Sequence, residues 1–432
     1  MREINKAKMA IFGSTPVEEL FIRRLKEEGV AVDSFQSSPN PMIRKSANDV
    51  IDLTQISESE LVKRLKEYDI IHLSTDESII LNSDLLLENN ISYIGGTRSQ
   101  LEYESDKTKI FDAITENDIL PETCVITSLD SMSKFEQDMV YVLKFVGDYT
   151  NFSDGNICTR VRPVDNIASK EAEDFIRNSL RTSGKALIQR NISGEDFSVN
   201  YFVDENLNFF NIGSNVCYKH LRESNTGPLC GGTGSYSIGG SLPFLNEKDL
   251  DQILDATKEF VNNINSKTEK KYTGPLNLDL IKERDTGKVY LLEVNCRRPG
   301  IDTSATLLGC LETSLYDIYR HTNNGTLNQL KSEFNQSASL AVSTFPSYYP
   351  YTEPSNLEII NFSKRPSDVQ MYFGWIEIDN ETEDEMQLRL HTSNSVVFVY
   401  SGKNLEEARK VIYEEIQNRV PTLKYRTDIG II

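Results

Sequence analysis

Three oxygen-bearing side chains stand close together in GPLNLDLIKERDTGKVYLLEVNCRRPG, residues 274–300. Asp279 lies near the end of one apolar run, and Glu293 and Asn295 lie on the next, across an Asp285-Thr286-Gly287 turn. Side chains alternate along a strand, so Glu293 and Asn295 share a face, and a hairpin can bring Asp279 beside them. Oxygens grouped in this way suit a hard divalent cation such as magnesium. Arg297 follows closely enough to meet a phosphate or a developing oxyanion. An ordinary amphipathic hairpin with a wet polar face shows the same alternation. Two carboxylates, an amide and an arginine on one face cost desolvation unless an ion or phosphate compensates, and that favours the metal.

Positive charge comes from elsewhere in the chain. Lys107 opens a helical stretch after Ser105-Asp106, and Lys144 sits inside the apolar run YVLKFV, 141–146. A lysine on such a strand usually snorkels to the surface; beside a metal cluster, Lys144 becomes a partner for a nucleotide's α- or β-phosphate. The segment NTGPLCGGTGSYSIGG, 225–240, reads as a loop. Its Gly231, Gly232 and Gly234 permit close backbone approach to an anion, although a mobile linker has the same composition. Lys219, His220 and Arg222 stand just before it. A lone histidine is more often structural, so His220 is assigned no catalytic role.

The elements that would position these groups fall into three regions. Strand-like MAIFG, VAVDSF, DIIHLS and ISYIGG alternate with helix-like segments over the first hundred residues, which predicts an open parallel α/β sheet. PVEELFIRRLKEEG places Val17, Leu20, Phe21 and Leu25 on one helical face. A central region opens with the helical SDKTKIFDAITEND, 105–118. It continues through strands YVLKFV, NICTRV (156–161), KALIQRNI and a hairpin FSVNYFVDENLNFFNIG, to a helix over 245–264 capped by Asn246. The last hundred residues look separate: strands ASLAVSTF, MYFGWIEI, MQLRLHT and SVVFVYS, then a helix capped by Asn404 with Glu407 three positions on. The boundaries expected are 1–103, 104–330 and 331–432, an α/β plus α+β architecture.

Composition limits the partners. A chain of 432 residues implies two or three domains, and 38% hydrophobic with 26% charged residues fits a globular protein. The formal net charge of −19 repels nucleic acid unless a basic patch overcomes it, and no Lys/Arg-dense block is present. No apolar run approaches the ~18 residues of a membrane span, and no signal peptide is visible. The six cysteines form no CxxC pair, so reduced thiols and a cytoplasmic location are expected. Monomer and homodimer both remain open.

Several motifs together resemble the ATP-grasp ligases, and among them the glycinamide ribonucleotide synthetase family. They are Cys217-Tyr218-Lys219-His220, Thr226-Gly227-Pro228, Gly231-Gly232-Thr233-Gly234-Ser235-Tyr236, Leu292-Glu293-Val294-Asn295-Cys296-Arg297 and the final Tyr425-Arg426-Thr427-Asp428-Ile429-Gly430. The resemblance implies an ATP-grasp fold with an N-terminal open parallel α/β domain and a C-terminal mixed domain. It also implies ATP and Mg2+ (or Mn2+) as cofactors, and a small-molecule carboxylate activated as an acyl phosphate and captured by an amine. By position, Lys107, Lys144, Gln189, Arg190, Asn191, Ile192 and Glu195 would hold the nucleotide, and Asp279, Glu293 and Asn295 the metal. Arg297 and Lys219 would be catalytic, and Gly231, Gly232, Thr233, Gly234 and Asp302 would meet substrate.

Three stretches depart from that family. Its Gly-Gly-Arg-Glu-His turn reads Gly13-Ser14-Thr15-Pro16-Val17-Glu18-Glu19, its Ala-Gly-Lys-Gly loop reads Phe152-Ser153-Asp154-Gly155-Asn156, and its Asp-Gly-Asp reads Glu223-Ser224-Asn225. Acids standing where a sugar phosphate should sit point to an amine other than phosphoribosylamine. The alternatives are phosphoribosylamine–glycine ligase itself and a nucleotide-binding regulator without catalysis.

Overall fold

The computed structural model describes residues 7–137, 139–146, 161–351 and 353–431. Strands β1 (Lys8–Phe12), β2 (Ala31–Gln36), β3 (Asp49–Asp52) and β4 (Ile70–Leu73) form a parallel sheet in the order β3-β2-β1-β4. Helices α1 (Pro16–Glu27), α2 (Pro41–Ser46), α3 (Glu58–Leu65) and α4 (Asp76–Glu88) connect them. Val17, Leu20, Phe21 and Leu25 are buried along α1, as the 3.6-residue period requires. A capping box starts that helix: Thr15 accepts from its third residue, and the Glu18 carboxylate accepts from the Thr15 N–H at 2.8 Å. Two readings change here. ISYIGG makes only isolated bridges, at Ile94 and Gly95, and the short edge strand β3 carries too little apolar pattern to be seen in the sequence.

Between this sheet and the centre lie α5 (Arg98–Ser105) and the short α6 (Ile110–Ala113). The single helix expected over 105–118 is broken. Asp106 leaves helical geometry (φ −104°, ψ 85°), and its carboxylate accepts from Thr108 N at 3.0 Å, so Lys107 sits on a tight turn. Next, β5 (Thr123–Ile126), β6 (Tyr141–Phe145), β7 (Val161–Val164) and β8 (Ala186–Arg190) form an antiparallel sheet ordered β5-β8-β6-β7. It is backed by α7 (Lys170–Ser183) around Leu143, Ile176 and Ile188. The substituted loop 152–156 and most of the strand expected at 156–161 lie outside the described residues.

The central strands are β9 (Gly194–Val203), β10 (Phe209–Arg222), β11 (Thr226–Ile238), β12 (Gly274–Glu283) and β13 (Val289–Asn295). The expected β9–β10 hairpin forms with Val203 paired to Phe209, and α8 (Glu247–Asn265) starts at the Asn246 cap. Residues 225–240 are not a loop: most of them are β11, paired with β10 on one side and β14 on the other.

Helices α9 (Ile301–Cys310) and α10 (Leu315–Asn323) precede β14 (Ala338–Ser343), β15 (Ile359–Ser363), β16 (Gln370–Phe373), β17 (Ile376–Glu381), β18 (Glu385–Leu390), β19 (Val396–Gly402) and α11 (Leu405–Arg419). Asn404 accepts from Glu407 N at 2.9 Å, while the Glu407 carboxylate takes the N–H of Lys403 rather than that of the cap residue. The last hundred residues do not stand apart. One sheet runs β13-β12-β9-β10-β11-β14-β19-β16, so the hydrogen-bond ladder crosses residue 330 without a break. The segment MYFGWIEI divides at Gly374, where a Cβ would lie 1.7 Å from the Asn394 carbonyl oxygen, into β16 in that sheet and β17 beside β18.

Arg298 ties the N-terminal sheet to this frame. It is nearly inaccessible, and its guanidinium reaches Glu18 at 2.8 Å, Thr15 Oγ1 at 2.8 Å and Ser74 Oγ at 3.2 Å. Breaking a buried pair by removing one partner strands the other charge. Arg298→Ala is therefore expected to lower urea-unfolding stability by ~3–5 kcal/mol, whereas an apolar replacement of both Arg298 and Glu18 recovers a large part of that loss.

Candidate active site

Register brings the candidate metal ligands together. Across β12 and β13, Asp279 pairs with Glu293 and Asn277 with Asn295; across β12 and β9, Asp279 pairs with Ser198 and Asn277 with Asn200. Four asparagines then link side chain to side chain under the site. Asn295 Nδ2 donates to Asn277 at 2.8 Å, Asn277 to Asn200 at 2.9 Å, and Asn200 to Asn215 at 3.2 Å. Asn215 in turn donates to Ser235 at 2.8 Å and Thr303 at 3.1 Å. Such a ladder satisfies buried amides and holds Asn295 in one orientation.

Above it the charges alternate. Asp279 accepts from Ser198 Oγ at 2.7 Å and pairs with Lys219 at 2.9 Å, and Glu293 pairs with Lys107 at 2.5 Å. Burial opposes ionisation of both carboxyls. Lys219 and Lys107 nevertheless outweigh it, and both carboxyls lie below their ordinary pKa. Lys219 is raised in return: burial lowers it most, but Asp279, Cys217, Asp196 and Glu293 together overcome that. Lys144 goes the other way: burial first, then the neighbouring Lys107, push it down to about 7. Its ammonium donates to the Leu292 carbonyl at 3.2 Å instead of snorkelling out.

Lys107, Lys219, Asp279 and Glu293 open on a cavity of about 440 Å³, which the buried Lys144 does not line. Lys107, Lys219, Gly231, Gly232, Asp279, Glu293, Asn295, Arg297 and Asp302 all line it. Gly232 adopts φ +115°, and a Cβ there would stand 2.6 Å from the Asp302 carboxylate, so only glycine fits. Burial pushes Asp302 up to about 6. Arg297 extends over the cavity wall and pairs with Glu104 on α5 at 2.6 Å.

Other expected site residues are elsewhere. Thr233 is fully buried with its hydroxyl on the Tyr218 and His220 carbonyls, and Gly234 packs against Ile429, because both lie inside the β11 ladder. Gln189 donates to Thr123, Arg190 pairs with Glu283, and Glu195 pairs with Arg284. Neither Asn191 nor Ile192 lines the cavity either; Ile192 joins Ile281, Tyr290 and Leu292 in a small apolar cluster. Reading the sequence missed Ser198, Asn277, Cys217, Glu104 and Thr303 on the cavity wall. Strand alternation could have found Ser198 and Asn277; nothing local marks Glu104, which arrives from another helix.

The donor set fits magnesium. Two carboxylates, Asp279 and Glu293, stand beside the Asn295 amide, which the ladder orients; among the described residues no three His, Cys, Asp or Glu side chains form a metal cluster. Two lysines neutralise the carboxylates, and these are the partners a polyphosphate with its cation would exchange.

A family model described as Phosphoribosylglycinamide synthetase, ATP-grasp (A) domain, matches residues 154–303. A phosphoribosylamine–glycine ligase of Methanobrevibacter smithii is 26% identical over 98% of this chain and 96% of its own. Among solved structures, the phosphoribosylamine–glycine ligase of Thermotoga maritima superposes with a TM-score of 0.71 at 19% identity, covering 98% of this chain and 100% of that one. The biotin carboxylase domain of Hydrogenobacter thermophilus 2-oxoglutarate carboxylase, in complex with MgADP, ADP and bicarbonate, superposes at 0.65 and 13% identity, covering 96% and 90%. The fold is therefore ATP-grasp, and ATP-grasp ligases use ATP with magnesium. Among the described residues no helix is long and apolar enough to cross a membrane.

Burial outweighs the attraction of Arg297 and pushes Glu104 from 4.5 up to about 7. The folded protein then holds a proton that the unfolded chain has lost, so this group makes stability fall as pH rises through that window. Glu104→Gln is expected to remove that part of the decline, seen as a stability difference from the unaltered chain that changes from 4.5 to about 7 and is flat above it.

Proposed function

We propose that this chain, an ADP-forming ATP-grasp carbon–nitrogen ligase, joins glycine to phosphoribosylamine. The observation that carries this reading is the match to a phosphoribosylamine–glycine ligase along nearly the full length of both chains. It corrects the expectation of a different amine. That expectation rested on Glu18 and Glu19, and the structure supplies the reason it fails. Glu18 is spent on Arg298, Ser74 and Thr15, Glu19 pairs with Arg23, and neither lines the cavity. These acids present no uncompensated charge to an anionic sugar phosphate.

In the proposed reaction a glycine carboxylate oxygen attacks the γ-phosphorus of ATP and ADP leaves. The amine then attacks the acyl carbon, phosphate leaves, the amine nitrogen gives up a proton and an amide remains. Asp279, Glu293 and Asn295 would hold magnesium, which supplies charge neutralisation for the phosphates when bound. Lys107 and Lys144 would meet the nucleotide phosphates. Arg297 and Lys219 are donors for the charge that builds on the transferred phosphoryl group. Gly231, Gly232 and Asp302 would face the reacting substrate.

Purified protein given ATP, magnesium, glycine and phosphoribosylamine should release ADP and phosphate in equal amounts with the amide product. Glu293→Gln should cut kcat by ~100-fold or more; absence of turnover in the unaltered protein would reject the assignment. Lys144 has its own signature. At about pH 8 its amine is mostly neutral, and a triphosphate beside it favours the ammonium. MgATP binding should then take up protons, measured by calorimetry in buffers of different ionisation heat, and Lys144→Met should abolish that part of the uptake.

A further inference from the structure

The tip of the β10–β11 hairpin reaches beyond the regular sheet. Its pairing shifts register between Tyr218 and His220 and again between His220 and Arg222. At its turn, Ser224 (φ 56°) and Asn225 (φ 51°) are both left-handed, a two-residue geometry that ordinarily takes glycine or asparagine. Strain of this kind persists only where the surroundings over-determine it. Lys219, one residue past Tyr218, is on this segment, and Gly231 and Gly232 return along its other strand to the cavity.

What over-determines the tip is the end of the chain. Arg426 is among the largest fully buried side chains. It donates to the His220 carbonyl and to Asn225 Oδ1, each at 3.0 Å, and its guanidinium lies 4.9 Å from the centre of the Tyr218 ring. Asp428 neutralises it through contacts of 2.8 and 2.7 Å and also accepts from Ser224 N at 2.8 Å. Gly430 N donates to the Tyr218 hydroxyl at 3.1 Å, and Ile429 fills the space beside Gly234. Helix α11 anchors this tail in turn: Arg409 donates to the Thr427 carbonyl at 2.7 Å, and Tyr413 to that of Arg426 at 2.8 Å. A buried guanidinium is costly and stays only when fully bonded. Here its bonds go to the His220 carbonyl, next to Lys219, and to the Asn225 side chain at the turn.

We infer that residues 426–430 form a latch in which Arg426 is a positioning residue, holding the hairpin tip so that Lys219 faces Asp279 and Gly231-Gly232 faces Asp302. The inference rests on the placement of Lys219 in the ATP-grasp cavity and not on which amine is used.

Displacing a catalytic group by ~1 Å can cost about 100-fold in rate. In the full-length protein, Arg426→Ala should lower kcat by about tenfold to 100-fold with a smaller change in the KM for ATP. Hydrogen exchange should accelerate at 218–232 and stay unchanged along 274–283. Lys219→Met should give a comparable loss of kcat, and the double variant should be no slower than Lys219→Met alone. Asp428→Asn, a milder change that keeps the arginine, should move both readouts in the same direction and serves if Arg426→Ala does not fold. Unaltered exchange at 218–232, or rate losses that multiply in the double variant, would overturn the latch. If the unaltered protein turns over no phosphoribosylamine, the proposed function falls alone. The exchange pattern of the same variants then decides the latch: faster exchange at 218–232 with 274–283 unchanged supports it, and unaltered exchange at 218–232 overturns it.

Discussion

Four charges in one enclosed place govern this structure. Asp279 and Glu293 sit on neighbouring strands, and Lys219 and Lys107 reach them from β10 and from the turn after α5. Like charges on adjacent strands repel, and each carboxylate loses hydration as the sheet closes over it. The pairing with lysines lets the sheet form before any ligand arrives. The same arrangement leaves two compensated charge pairs facing one cavity.

Holding four charges in place takes more than β12 and β13. Below them the asparagine ladder spans β13, β12, β9 and β10 and fixes the orientation of the Asn295 amide. To one side the dipeptide Arg297-Arg298 fastens two helices, Arg297 to Glu104 on α5 and Arg298 to Glu18 on α1. To the other side the chain terminus closes on the hairpin that carries Lys219. The cavity is walled by residues between Asp76 and Thr303 and braced by segments from outside that range, and the eight-stranded sheet makes one frame of regions whose sequences look independent. The acids of the first turn, read in isolation as hostile to an anionic substrate, are structural for the same reason: their partners are distant in sequence and close in space.

The sequence by itself determined the hairpin bearing Asp279, Glu293 and Asn295, since alternation and a turn signal are local properties of adjacent residues. It also determined the amphipathic helices and the caps at Asn246 and Asn404, because those depend on contacts within a few positions. Tertiary structure decided the remainder. Residues 225–240 are rich in glycine and polar side chains and lack a strand's apolar rhythm, yet β10 and β14 supply their hydrogen bonds from both sides. Gly374 splits an even run of strand formers because the Asn394 carbonyl occupies the space of a side chain. Thr233 and Gly234 turn into the core while Gly231 and Gly232 face the cavity, and Glu18 becomes a buried counter-ion. Each of those outcomes depends on a neighbour tens to hundreds of residues away, brought near only when the sheet closes.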